Sequence, residues 1–357
     1  VSGLAGKLAR LIAAVGPISV ADYMSLVLSD PEHGYYTTRT AIGLDGDFIT
    51  APEISQMFGE LIGIWCVATY EALGRPKRLT LVELGPGRGT LMADLLRAGR
   101  IDPGFARAVE VHLVEISPEL RRRQAERLAG LASPVWHDRI DDLPAGPLIV
   151  VANEFFDALP IRQFMRTGRG WRERVVGLDA DGNLAFGIGA AAPDPALLPA
   201  GALEAPEGAV AEINRPAEAI VETLAHRLVQ HGGAALIFDY GHLRSGFGET
   251  LQAVRAHRYA DPLRQPGECD LTAHVDFDRL ARAAAAGGAA VLGPVTQGDF
   301  LLAVGLAERA GALGAGKDAA GQQAIVAAVE RLAGPEEMGT LFKAMALTHP
   351  PMPLPGF

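Results

Sequence analysis

The sequence predicts an α/β fold built on a seven-stranded, mostly parallel sheet with helices on both faces. Three observations carry this. From Arg78 onward, short apolar runs alternate with helix-patterned segments, the order that builds βαβ units. The runs are apolar throughout, as strands covered on both faces are. The first of them ends in a glycine-rich turn that opens directly into a helix, the layout of a ligand-binding strand–turn–helix.

At 357 residues the chain is long enough for one large domain with insertions or for two domains. Two cysteines, Cys66 and Cys269, are too few for a disulfide framework and favour a reducing compartment. No apolar run reaches the length of a membrane span, so no membrane partner is expected. A net charge of −10 argues against non-specific nucleic-acid binding and suits a basic substrate. Lysine is scarce while Arg and Ala abound, the signature of a GC-rich bacterial genome, so a cytoplasmic setting is expected.

Residues 1–75 read as helices with loops. Leu4, Leu8, Leu11, Ile12 and Val15 recur at helical spacing with Lys7 and Arg10 between them, an amphipathic helix rather than a signal peptide. Ser19 with Asp22 three residues on forms a capping-box start. A long turn-rich stretch, "DPEHGYYTTRTAIGLDGDFITAPEIS", precedes a helix over "SQMFGELIGIWCVATYEAL". Strands follow at "RLTLVEL", "AVEVHLVEI", "PVWH", "GPLIVVA" and "GGAALIFDYG", with "AAVLGPV" and "LFKAMAL" as the last two. Ser117 and Pro118 open the helix after the second strand. The alternation breaks at 162–233, where a hairpin turns at Asp181-Gly182-Asn183 and a helix starts at Asn214. The expected organisation is an N-terminal helical part (1–75), a sheet domain (76–161 and 234–357), and an inserted subdomain (162–233). The first and last are expected to build a substrate cleft.

The sharpest motif is "VELGPGRGTLMADLLR". Gly85, Gly87 and Gly89 allow positive φ and close backbone approach to a ligand. Their G-x-G-x-G spacing departs from the dinucleotide G-x-G-x-x-G, and Pro86 and Arg88 cramp a pyrophosphate. A nucleoside ligand without phosphates fits better, and S-adenosylmethionine is the common one. Glu83 before the turn suits such a site. Glu115, at the next strand end, can accept from both ribose hydroxyls, although a solvated strand-end acid is the competing reading. Ile116 can lie on the adenine and Asp138 can meet its amino group.

The fourth strand ends in Asn153, Glu154, Phe155, Phe156 and Asp157. In such a fold the cofactor's methyl group points here. Methyl transfer is an in-line displacement that needs an oriented nucleophile. Glu154 and Asp157 can clamp a guanidinium. Asn153 with the two aromatic walls can instead hold a planar amide nitrogen. Asn153 or Asp157 stands equally as a helix cap.

"GDFITAPEISQMFGELIG", "VELGPGRGTLMADLLR", "VEISPELR", "ANEFFDALPIRQF", "PGECDLTAHVDF" and "MGTLFKAMAL" together resemble the MidA-like family, and the resemblance covers most of the chain. It implies a class I methyltransferase domain using S-adenosylmethionine, with Gly85, Gly87, Gly89 and Glu115 as cofactor residues. It also implies protein-arginine methylation serving assembly of respiratory complex I, the role of the family's mitochondrial branch, and hence a protein substrate such as a complex I subunit or its bacterial counterpart. Under it, Asp47, Thr50, Glu53 and Ser55 become a lid over the cofactor's methionine end. Asp239 and Tyr240 end the fifth strand, near enough to line the substrate mouth, and Glu53, Asp270 and His274 are further candidates for lining it. Cys269, Asp270 and His274 lack metal-site spacing, so no metal is expected. Two other functions stay open: a non-catalytic S-adenosylmethionine-binding assembly factor, and methylation of another nitrogen such as a protein amide.

Overall fold

The computed structural model describes residues 3–38, 50–255 and 258–357. It divides into two compact units. The larger comprises Ile49–Phe156, Ala219–Leu243 and Val275–Phe357; the smaller comprises the described parts of Val1–Phe48 with Asp157–Glu218 and Arg244–His274.

In the larger unit, seven strands form the sheet: β1 (Leu79–Leu84), β2 (Val109–Val114), β3 (Val135–His137), β4 (Leu148–Asn153), β5 (Gly233–His242), β6 (Ala290–Thr296) and β7 (Phe342–His349). Their order is β6-β7-β5-β4-β1-β2-β3, and a two-residue strand, Val275–Asp276, adds to the end of β5. The first five pair in parallel, while β7 runs antiparallel between β5 and β6. All seven expected strands, the last two included, are therefore present. Every residue of β1 and β4 is buried, which is why these segments lack polar alternation. Strand order reverses between β1 and β4, so the carboxyl ends of β1, β2 and β4 open on a topological switch point.

Helix α1 (Gln56–Ala72) is capped by Ser55, whose hydroxyl accepts from the Met57 amide, and buries Phe58, Ile62, Trp65 and Cys66. It packs closely on α2 (Thr90–Gly99) because two glycines face it. A Cβ on Gly59 would lie 2.5 Å from Asp94 Cβ, and one on Gly63 2.7 Å from the Leu95 carbonyl oxygen. Helix α3 (Pro118–Leu128) starts at Ser117, which caps the Leu120 amide. Phe58 meets Phe238 of β5 edge-on at 5.2 Å, and each such buried side chain contributes roughly 1.5–3 kcal/mol.

In the smaller unit, helix Gly3–Val15 buries Leu4, Leu8 and Ile12 and leaves Leu11 and Val15 exposed, a narrower stripe than expected. Ser19 caps Val20–Ser29. Arg162–Thr167, Gly170–Leu178, Leu184–Ile188, Val210–Ile213 and Ile18–Ser19 form a five-stranded antiparallel sheet. Its expected hairpin pairs Leu178 with Leu184 across Gly182, which has φ +82°. A three-stranded ribbon, Gln252–Arg255, Arg258–Ala260 and Asp270–Thr272, is not among the strands expected from the sequence, being built of strands too short for alternation to register.

These units cut the chain differently from the segments read in the sequence. Helix α1 joins the sheet unit through its glycine contacts with α2 rather than the N-terminal helices. Most of 162–218 shares a unit with 3–38 and 244–274.

Candidate active site

The turn from β1 to α2 is left-handed at all three glycines: Gly85 at φ +60°, Gly87 at +51° and Gly89 at +77°. For any other residue each position costs about 1–2 kcal/mol. The Gly85 amide donates to the Val114 carbonyl at 3.0 Å, tying the turn to β2. A Cβ on Gly85 would lie 2.9 Å from Phe155 Cδ2, so the cradle admits no side chain. Beneath it Glu83 is 3% exposed. Its Oε2 has no partner among the described residues. Burial pushes its carboxyl well above the usual range, against a smaller downward pull from the Met92 amide. A buried acceptor without a donor is costly unless a ligand supplies one.

After β2, Glu115 Oε1 accepts from the Ser117 amide at 2.8 Å and Oε2 from Gln124 Nε2 at 3.3 Å. Burial raises its carboxyl, and these donors oppose the rise. Ile116 beside it is 54% exposed. Asp138, at the end of β3, holds Arg121 at 2.5 Å with its side chain 73% exposed.

Asn153 closes β4. Its Nδ2 donates to Glu154 Oε1 at 3.0 Å, while its buried Oδ1 has no partner among the described residues. Glu154 is held at φ +51° although it is not a glycine. Its amide donates to the Phe238 carbonyl at 3.0 Å, and its Oε1 accepts from the Ala51 amide at 3.1 Å. Phe155 lies on the Gly85 cradle and edge-on to Phe156, with centroids 5.3 Å apart.

The Phe156 amide donates to Asp239 Oδ2 at 2.9 Å, and the Tyr240 amide to Asp239 Oδ1 at 3.0 Å. Asp239 is fully buried, and Tyr240 packs on Phe342 at 5.4 Å. Both were expected at a substrate mouth. Both are buried, and Asp239 fastens the segment after β4 to the end of β5.

Glu53, in the short helix Ala51–Ile54, accepts from Thr90 Oγ1 at 2.6 Å, and its Oε2 is 3.9 Å from Arg88 Nη1. The segment before α1 is thus bonded to the first residue of α2. Thr50 precedes this helix without a side-chain cap bond. Asp47, expected in the same lid, lies outside the described residues.

A family profile for S-adenosyl-L-methionine-dependent methyltransferase matches residues 61–295. The chain belongs to this methyltransferase family. It is similar to a zebrafish (Danio rerio) protein named protein arginine methyltransferase NDUFAF7, mitochondrial, with 40% identity over 96% of this chain and 86% of that one. The human protein of the same name is 38% identical over 94% of this chain and 81% of its own. A Burkholderia thailandensis protein described as a methyl transferase and solved with S-adenosyl-homocysteine is 33% identical. The match covers 97% of this chain and 92% of that one, with a TM-score of 0.84.

The methyltransferase cofactor is S-adenosylmethionine, and the residues present fit it. The Gly85 cradle excludes a side chain, and Glu83 Oε2 and Asn153 Oδ1 are buried acceptors without donors among the described residues. No described helix is long and apolar enough to cross a membrane. Among the described residues no three His, Cys, Asp or Glu side chains gather as a metal site.

In the smaller unit, Tyr36 Oη donates to Asp270 Oδ1 at 2.9 Å and Oδ2 at 3.1 Å. Burial, then the charges of Asp270 and Asp157, push the Tyr36 phenol well up. The Ala273 amide donates to the Asp157 carbonyl at 3.0 Å, and the His274 amide to Thr250 Oγ1 at 2.9 Å. The structure therefore gathers Asp157 and Asp270 around a tyrosine that sequence reading passed over. The adjacent pair Tyr35-Tyr36 in a polar loop was the one available signal. Gln124 and Thr90 were also missed.

Proposed function

We propose that this methyltransferase transfers a methyl group to a guanidinium nitrogen of arginine in a protein substrate. The observation that carries the reading is the likeness, over nearly the whole chain, to relatives named protein arginine methyltransferase. Two features of this chain support it. Glu154 is held in a backbone conformation costing about 1–3 kcal/mol, strain that clusters where geometry serves function. Asp157 and Asp270 make an anionic group around Tyr36, suited to a cation.

S-adenosylmethionine, when bound, supplies an electrophilic sulfonium methyl. Gly85, Gly87 and Gly89 admit it against the backbone. Glu83 would accept from its ammonium, Glu115 from the ribose hydroxyls, Ile116 would meet the adenine, and Asp138 would serve the adenine amino group. Asn153 would hold the methionine side, and Glu53, bonded to Thr90, would keep the segment before α1 at the turn. Glu154 accepts from the guanidinium and draws its charge toward the carboxylate, which leaves the attacking nitrogen richer; the same carboxylate receives the proton shed after transfer. Phe155 and Phe156 wall the slot. Asp157, Asp270 and His274 serve the substrate, as do residues 162–233.

The proposed substrate is a respiratory complex I subunit or its bacterial counterpart, in the cytoplasm of a bacterial host, a setting supported by the Lys-poor, Ala- and Arg-rich composition. Quantitative mass spectrometry of the proteome with and without the gene tests this. A methylarginine lost on deletion and restored by the wild-type gene is expected. A methylated amide, or no change in any methylated residue, would overturn the arginine reading.

A further inference from the structure

Gln124 is fully buried on α3, a helix whose arginines and glutamates pair with one another at the surface. Its amide meets three elements. Nε2 donates to the Gly87 carbonyl at 2.8 Å and to Glu115 Oε2 at 3.3 Å, and Oε1 accepts from Trp136 Nε1 at 2.8 Å. An indole N–H can only donate, so Trp136 decides which end of the amide is oxygen and turns the NH2 toward the turn and the acid. Helix α3 leans on the same turn elsewhere: a Cβ on Gly89 would lie 3.5 Å from Gln124 Cα, and Arg127 Nη2 donates to Thr90 Oγ1 at 3.0 Å.

We infer that Gln124 is a positioning residue of the cofactor site, joining the central glycine of the turn to the Glu115 carboxylate so that both are set before the nucleoside arrives. This rests on reading Glu115 as the ribose acid. With the Ser117 amide on Oε1 and Gln124 on Oε2, both carboxylate oxygens are held in place and keep acceptor capacity for the ribose hydroxyls. Affinity gained this way comes from ordering the site in advance rather than from a contact to the ligand.

Gln124 also favours the ionised form of Glu115, whose carboxyl burial raises. The other groups acting on that charge are the Ser117 and Ile116 amides and Arg121 on α3, which donates to the Glu115 carbonyl and pairs with Asp138. His137 on β3, whose carbonyl accepts the Glu115 amide, is hydrogen-bonded through its ring to His112 of β2. All of these remain when only the amide is changed.

Calorimetric titration of the purified full chain with S-adenosyl-homocysteine, across mildly acid to mildly alkaline pH, tests the inference. Gln124→Met weakens binding roughly 10- to 100-fold, the loss of a hydrogen bond to a charged group. It also moves upward the pH below which affinity is lost, since Glu115 now protonates more readily. Trp136→Phe moves both in the same direction by less, because the amide is free to turn over. If Gln124→Met does not fold, Trp136→Phe carries the test alone. A pH midpoint unmoved in every folded variant overturns the inference even where binding weakens, because a packing role would not alter the protonation of Glu115. Glu115→Gln separates the two readings. Unchanged affinity there refutes the ribose assignment and this inference with it. Weakened affinity there, with Gln124→Met and Trp136→Phe like the wild type, refutes the role of Gln124 alone.

Discussion

Replacing Gly85 by alanine puts the cradle under two loads at once. At φ +60° an alanine backbone costs about 1–2 kcal/mol. Its Cβ would stand 2.9 Å from Phe155 Cδ2, closer than carbon atoms tolerate, so the ring must move. Phe155 sits edge-on to Phe156, which is fully buried and cannot follow. Breaking that pair forfeits about 0.5–1.5 kcal/mol. The sum is about 1.5–3.5 kcal/mol, a fall in melting temperature of roughly 5–10 °C for a unit of this size. The new methyl also occupies the face the cofactor approaches, so the rise in melting temperature produced by S-adenosyl-homocysteine should shrink or vanish. Thermal unfolding with and without that ligand reads both effects. Gly85→Ala melting with the wild type and gaining the same stabilisation from ligand would refute the reasoning.

Three further outcomes are expected. Burial raises the Glu83 carboxyl above its unfolded-state pKa, so between those two values the native chain holds a proton that the unfolded chain releases, and stability falls as pH rises through the window. Glu83→Gln removes that fall: without ligand its melting temperature exceeds the wild type's at neutral pH but not at pH below about 4, while S-adenosyl-homocysteine binds more weakly. An equal shift at both pH values would contradict the assignment. Glu154→Gln binds the cofactor product normally yet loses at least about tenfold in methyl transfer. Glu154→Gly relieves the left-handed backbone, a gain of about 1–3 kcal/mol less roughly 0.4–1 kcal/mol for the freer unfolded chain, and is inactive; a glycine variant that transfers methyl groups would sink the role of the carboxylate. Asp239→Asn leaves either the Phe156 or the Tyr240 amide without its acceptor, costing about 1–3 kcal/mol; hydrogen exchange at those two amides should speed up, and unchanged protection would rule out the fastening role.

What could be read in advance was what local chemistry dictates. The glycine turn announces itself because positive φ at three nearby positions leaves little choice of residue. The buried strands announce themselves because cover on both faces removes polar alternation. Ser19 and Ser117 cap the helices they precede because the bond spans only three residues. Roles set by partners far along the chain were hidden. Gln124 sits among Arg and Glu and reads as surface, yet its partner Gly87 lies 37 residues away. Tyr36 and Asp270 are separated by 234 residues. Asp239 looked like a strand-end acid facing a ligand, and only the fold shows backbone amides already directed at it. The division into units was obscured for the same reason, since Gly59 and Gly63 gain meaning only when α2 lies against them.

The interposed β7 carries a consequence for how the chain is made. Strand β5 leaves the ribosome about a hundred residues before β7, which at synthesis rates of about 5–20 residues per second is roughly 5–20 s. Throughout that interval Leu236, Ile237 and Phe238 present an unpaired, adhesive strand edge. Strand β6 emerges first, and in the finished sheet it runs parallel to β5 with β7 between them. A nascent chain in which β6 docks directly on β5 must open again to admit its last strand.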